Sequence, residues 1–190
     1  MSIENIESFI KKFPIYQYAF LKPDDIEYTE KARQICKKMC KHYGTSWSCP
    51  PAVGKTDKCR ESCLGFSDLL VFSTLTENKE ADKAKKTIQD ENEKLTDIIR
   101  DEMEKLGYAT YVLTSGVCGK CRKCTFPRSF CRNPEGMYPC VESHGITISD
   151  FAEEYNMDYY LGSRLCLMFS FIYFKKKDLQ TVLKKGDAND

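Results

Sequence analysis

Three cysteines spaced by two residues each, Cys118-Gly-Lys-Cys121-Arg-Lys-Cys124, are followed after a short gap by Cys131. Thiols at i, i+3 and i+6 in a tight loop can wrap three corners of an iron–sulfur cubane, and a cysteine farther along supplies the fourth. Gly116 and Gly119 flank Cys118 and let such a loop turn sharply. The bacterial ferredoxin run has the same first spacings, but its last gap is three residues where this chain has six. Structural zinc prefers two separated Cys-x2–4-Cys pairs, so the triple spacing favours a [4Fe-4S] cluster, with zinc the runner-up.

A second group lies upstream: Cys36, Cys40, Cys49, Cys59 and Cys63. Cys36 and Cys40 are one helical turn apart, and Cys49 precedes Pro50-Pro51, as a cysteine–proline ligand does in ferredoxins. Cys59 is the expected fourth ligand of a second cluster here, and Cys63, one turn on, is its substitute. Cys140 is open to three roles: a spare thiol, an alternative to Cys131, or a redox-active group beside a cluster. Cys166 lies in an apolar run and reads as a buried small hydrophobe. His42 reads as a solvent-facing or outer residue of the first block, His144 as a turn or core histidine, and Trp47 as a cover that excludes water.

The surroundings support metal over disulfides. The N-terminus is acidic and has no apolar core, so it is no secretory signal, and no run approaches the roughly 18–20 apolar residues of a membrane span. The expected compartment is therefore the cytoplasm, where clustered cysteines bind metal or catalyse. The eleven cysteines cannot all pair, because their number is odd. Charge is uneven: the chain is +1 overall, but residues 31–63 carry eight Lys/Arg against two acids, and residues 118–132 carry five against none. A cluster held by four thiolates is an anion, and nearby cations stabilise it and raise its potential. Nucleic acid is not expected, since the pI is near neutral and no binding motif accompanies the basic loops.

Elements to hold these loops are legible around them. Residues 2–13 read as a helix capped by Ser2, residues 15–21 as a strand, and a helix capped by Asp24 or Asp25 runs to about Met39. Residues 68–75 and 108–114 read as strands, and residues 165–174 as a central one. Between them, residues 77–106 carry a helical stripe of Ala81, Ala84, Ile88, Leu95, Ile98, Ile99, Met103 and Leu106, about 40 Å long. This helix is expected to cover a sheet face; Asn92 and Glu102 interrupt a coiled-coil seam. Ser149 caps a helix to Tyr155. The expected fold is an α/β (α+β) sandwich: a mixed sheet of about four strands with helices packed on it and two cysteine-rich metal-binding loops. One domain spans residues 1–190, with cysteine blocks at 36–63 and 118–140 and a polar, disordered tail at 183–190.

Tyr43-Gly-Thr-Ser-Trp-Ser-Cys-Pro-Pro51 with its flanking cysteines resembles the first signature of a family of cysteine-rich, predicted metal-binding proteins of anaerobic bacteria and archaea. Residues 116–125, Cys131-Arg132, Pro134-Glu135 and Glu142-x2-Gly145-Ile146 are similar to the second, and Tyr159-Tyr160-x-Gly162 also fits. The resemblance implies ligand positions at Cys36, Cys40, Cys49 and Cys59, and at Cys118, Cys121, Cys124 and Cys131. It assigns none to Cys63, Cys140 or Cys166. The family has no assigned reaction. The expected function is one-electron transfer with a redox partner protein or enzyme through two [4Fe-4S] clusters. The alternatives are an enzyme with an open cluster iron, using Cys140 or Cys63, and a zinc-stabilised interaction protein.

Overall fold

The computed structural model describes residues 3–77 and 83–177. The expected Ser2 cap, the place of Ala81 in the helical stripe and the tail at 183–190 lie outside the described residues, as does the Ala84 side chain. Helix α1 (Ile3–Ile10) leads to strand β1 (Gln17–Leu21), a 3-10 turn at Pro23–Asp25 and helix α2 (Glu30–Met39). Helix α3 (Thr56–Leu64) precedes β2 (Asp68–Glu77), α4 (Lys83–Lys105) and β3 (Tyr108–Thr114). A 3-10 turn at Glu142–His144, α5 (Ile148–Glu154) and β4 (Leu165–Lys176) complete the order.

The strands form one sheet in the order β1-β2-β4-β3. The α+β class and the four strands are as expected. The mixed sheet is not, because every strand pairing is antiparallel. Among the described residues the one parallel contact is an isolated bridge between Thr114, at the end of β3, and Cys140. Strand direction depends on long-range pairing, which the local apolar runs do not encode.

Alternation along the strands splits the core in two. Leu69, Val71, Leu113, Phe169, Phe171 and Tyr173 face Cys63 of α3, Ile148 and Phe151 of α5 and the nearby Ile26 and Ile146. Leu70, Phe72, Val112, Ile172 and Phe174 face Ile6 and Ile10 of α1 and Leu95, Ile99 and Met103 of α4. Covered on both sides, β2 and β4 read as near-continuous apolar runs.

The long helix covers a sheet face as its stripe predicts, though Ile98 turns outward at 48% exposure. Asn92, which breaks the apolar pattern, is buried for a reason. Its amide donates to Ser170 Oγ at 2.9 Å, and its carbonyl accepts from Thr74 Oγ1 at 2.9 Å. Thr96 Oγ1 lies 2.7 Å from both Ser170 Oγ and the backbone carbonyl of Asn92. This polar knot fixes the register of α4 on β2 and β4. Ser170→Ala is expected to destabilise the fold by about 1–3 kcal/mol, because it leaves the Asn92 amide buried without its acceptor. A lower urea midpoint at unchanged slope measures this; an unchanged midpoint refutes it.

Three boundaries differ from expectation. Asp24 and Asp25 lie in the 3-10 turn, and Thr29 occupies the N-cap position of α2, which starts only at Glu30. Thr147, not Ser149, occupies the N-cap position of α5, so Ser149 lies inside the first turn. Helix α3 occupies part of the first cysteine block, which the sequence presents as loop. It carries little apolar patterning besides Cys59, Cys63 and Leu64.

Candidate metal centre

No disulfide joins any of the eleven cysteines. The four thiols of the second block, Cys118, Cys121, Cys124 and Cys131, line a single tight cavity together with Ser46, Trp47 and Met137. The loop that carries them is tied to α4. The Gly119 amide donates to Glu93 Oε1 at 3.2 Å, and Lys120 Nζ meets Asp97 Oδ2 at 2.6 Å. Gln89 donates both to Glu93 Oε1 at 2.9 Å and to the Val117 carbonyl. A side chain at Gly119 would bring a Cβ within 3.2 Å of Asp90 Oδ1, so the loop approaches the helix as closely as glycine allows.

Donors converge on these sulfurs. Burial works to raise the Cys124 pKa, yet the amides of Phe126 and Trp47, the Ser46 hydroxyl and the Thr125 amide together hold it below the ordinary thiol value. At Cys118 burial wins and pushes the thiol up, opposed by the Lys120 amide and aided by the Glu93 charge. Amide-to-sulfur hydrogen bonds stabilise thiolates, the form that binds metal. Trp47 packs edge-on against Phe126 at 5.0 Å, and its indole N–H donates to the Ser129 carbonyl at 3.1 Å. It therefore covers this cavity, not the one lined by the cysteines of its own block.

The first block splits. Cys36, Cys40 and Cys49 line a separate, largely apolar cavity of about 390 Å³ with Ile35, Met39 and His42, the first cavity in chain order, that of Cys118 to Cys131 being the second. Cys140 and Glu142 line the same cavity. Cys59 does not; it is buried on α3 and donates its thiol to the Val53 carbonyl at 3.3 Å. Cys63, one turn on, is buried among core residues, and burial raises its pKa to about 12. Burial likewise raises Cys36 and Cys49 to about 11, with the Glu142 charge adding to both. Cys166 is half-buried in β4, opposite Thr76, so it is less enclosed than expected.

The cavities share a wall. Ser46 and Trp47 face the second-block thiols, while Cys49 and Pro50 face the other cavity. Ser48 lies between them, accepting the Cys118 amide on its Oγ at 3.0 Å and the Cys140 amide on its carbonyl at 3.1 Å. Gly116 and Val117 line one cavity and Cys118 the other.

These residues fit a metal–sulfur group by their donor chemistry. Two cavities each present several thiols, and amides already point at the sulfurs of one of them. Arg33, whose charge acts on Cys36 and Cys59, donates to Thr56 Oγ1 at 3.2 Å and to the Gly54 carbonyl, and its buried Nη1 has no partner among the described residues. Among the described residues no three His, Cys, Asp or Glu side chains are grouped to hold a single metal ion.

A family sequence model matches residues 19–173, nearly all of the sheet and both cysteine blocks. The chain belongs to the predicted metal-binding protein family DUF2284. No curated protein and no solved structure matches it. Metal binding, as DUF2284 is described, agrees with the thiol-lined cavities. Among the described residues no helix is long and apolar enough to cross a membrane.

His144 stands just behind the first cavity, in the core as expected, at 1% exposure. Its Nε2 lies 2.7 Å from Tyr111 OH, and its Nδ1 lies 3.1 Å from Ser143 Oγ. Burial lowers its pKa to about 4. The unfolded chain takes up a proton as pH falls through about 6.5, while the folded chain resists until about 4. The resulting stability is fully present above pH 6.5 and is lost as pH falls toward 4, amounting to about 3 kcal/mol. Denaturant titrations of wild type and His144→Gln at several pH values are expected to converge by that amount over this window; parallel curves refute it.

Proposed function

We propose that the chain is an iron–sulfur protein with two [4Fe-4S] sites, one in each thiol-lined cavity, that exchanges single electrons with a redox partner. The observation that carries this reading is the second cavity, where four cysteines with cluster-type spacing meet around one space. Four cysteines on one cavity suit a cluster, in which each thiolate meets a different iron. When bound, such a cluster supplies a reversible one-electron couple.

The protein's own residues do the rest. Trp47 and Phe126 limit water at the second cavity, and amide donors around Cys118 and Cys124 stabilise added negative charge. Lys120 is committed to Asp97, but Arg122, Lys123, Arg128 and Arg132 are exposed on the same loop. They would draw in an acidic partner surface, and the exchange rate would fall with salt. A reducing cytoplasmic setting suits this number of unpaired thiols.

Anaerobic purification followed by iron, sulfide and zinc analysis, with electron paramagnetic resonance after reduction, tests the reading. About eight irons and eight sulfides per chain are expected. Stoichiometric zinc without sulfide would sink it.

A further inference from the structure

We propose that the ligand set of the first cavity is Cys36, Cys40, Cys49 and Cys140, and that Cys59 lies outside it. The inference rests on the reading that the thiol-lined cavities take a metal–sulfur group. Spacing nominates Cys59, because it follows the other three in the chain. The fold nominates Cys140, because it brings that residue to the same cavity from about ninety residues away.

Three observations carry this assignment. The first is placement, since Cys140 lines the cavity with the other three and Cys59 does not. The second is what each thiol already does. Cys59 donates to the Val53 carbonyl, and its charge acts on Cys63, its neighbour one turn on in α3. Cys140 instead meets Glu142 Oε2 at 2.6 Å and feels the charge of Cys49; Cys36 and Cys49 in turn feel Cys40 and Glu142. The third is backbone anchoring. The amides of Thr114 and Val141 bond the Pro139 and Thr114 carbonyls at 3.1 Å each, forming the bridge that sets Cys140 at the end of β3. The Cys140 amide also holds Ser48, the neighbour of Cys49. Cys140 is thus fixed to the sheet on one side and to the Cys49 segment on the other, as a fourth ligand must be.

On ligation each thiol loses its proton to solvent and forms one sulfur–metal bond. At Cys140 the S–H to Glu142 contact is given up in that exchange. Elsewhere in the cavity Cys36, Cys40 and Cys49 make the same exchange, and the Cys59 thiol keeps its proton and its bond to Val53.

Cys140→Ala and Cys59→Ala proteins, purified anaerobically beside wild type, test the assignment by metal and sulfide content and by electron paramagnetic resonance. Cys140→Ala is expected to lose about half of the iron, or to show a changed signal from one of two sites, while Cys59→Ala matches wild type. Unchanged metal in Cys140→Ala, or loss in a folded Cys59→Ala, overturns it. If Cys59→Ala fails to fold, thiol alkylation of wild type decides. Cys140 should label only after chelation, with Cys59 labelling unaffected by the chelator, and the reverse pattern overturns the assignment. Wild type lacking iron and sulfide would instead defeat the iron–sulfur reading; bound zinc would still report the ligand set through the same variants.

Discussion

Cys124→Ser is expected to lose about four of roughly eight irons per chain and the resonance of one site, with the fold intact. Cys124 is the second-block thiol whose pKa is held down, by donors from both its own loop and the Ser46-Trp47 segment. Those donors are matched to a negatively charged sulfur. A serine oxygen is smaller, harder and far less acidic, so it is a poor iron ligand. The sheet does not depend on the site, because the loop hangs from α4 by Glu93, Asp97 and Gln89, and none of these bonds involves Cys124. Far-ultraviolet circular dichroism should therefore match wild type. Loss of all iron would show that the two sites cannot be filled separately; full retention would remove Cys124 from the ligand set.

Gly145→Ala carries the largest expected cost in stability, about 2–5 kcal/mol. Gly145 closes the 3-10 turn after the first cavity with φ of 87°, a conformation that side chains rarely adopt. An added Cβ would also sit 2.7 Å from Thr56 Cγ2 and 2.9 Å from the Thr29 carbonyl. The second contact is with backbone, which cannot swing aside. The Thr29 amide meanwhile donates to the Gly145 carbonyl at 2.7 Å, so the turn cannot shift away without losing that bond. Gly162→Ala is the matched control. Its φ is 92°, but nothing lies within 4 Å of the added carbon, so only the backbone cost of about 1 kcal/mol is expected. Urea midpoints of the two variants separate strain from clash, and equal losses would refute the packing argument.

Much of this architecture is legible in the sequence. The apolar runs of β2, β3 and β4 are found where expected, and the stripe on α4 lies on the sheet. The cluster-type run from Cys118 to Cys131 does surround one cavity. What escapes is what depends on distant partners. Antiparallel direction throughout the sheet is one case. Helix α3 is another, because its two core-facing thiols look like ligands when only spacing is read. Cys140 is the third: nothing near it in sequence points to the first cavity, and its bridge to Thr114 and its amide bond to Ser48 take it there. Asn92 shows the same limit from the other side. It looks like a break in the stripe, yet its buried partners make it a point of registration.

The wall between the two cavities makes them members of one assembly. Ser48 holds the amide of a residue from each side, so ordering the chain around either cavity restricts the same few backbone torsions that the other requires. If both cavities take a metal–sulfur group as proposed, the entropic cost of arranging this segment is met once, by whichever site fills first. Occupancy at one site therefore favours occupancy at the other, and half-filled molecules should be scarcer than independent filling would give.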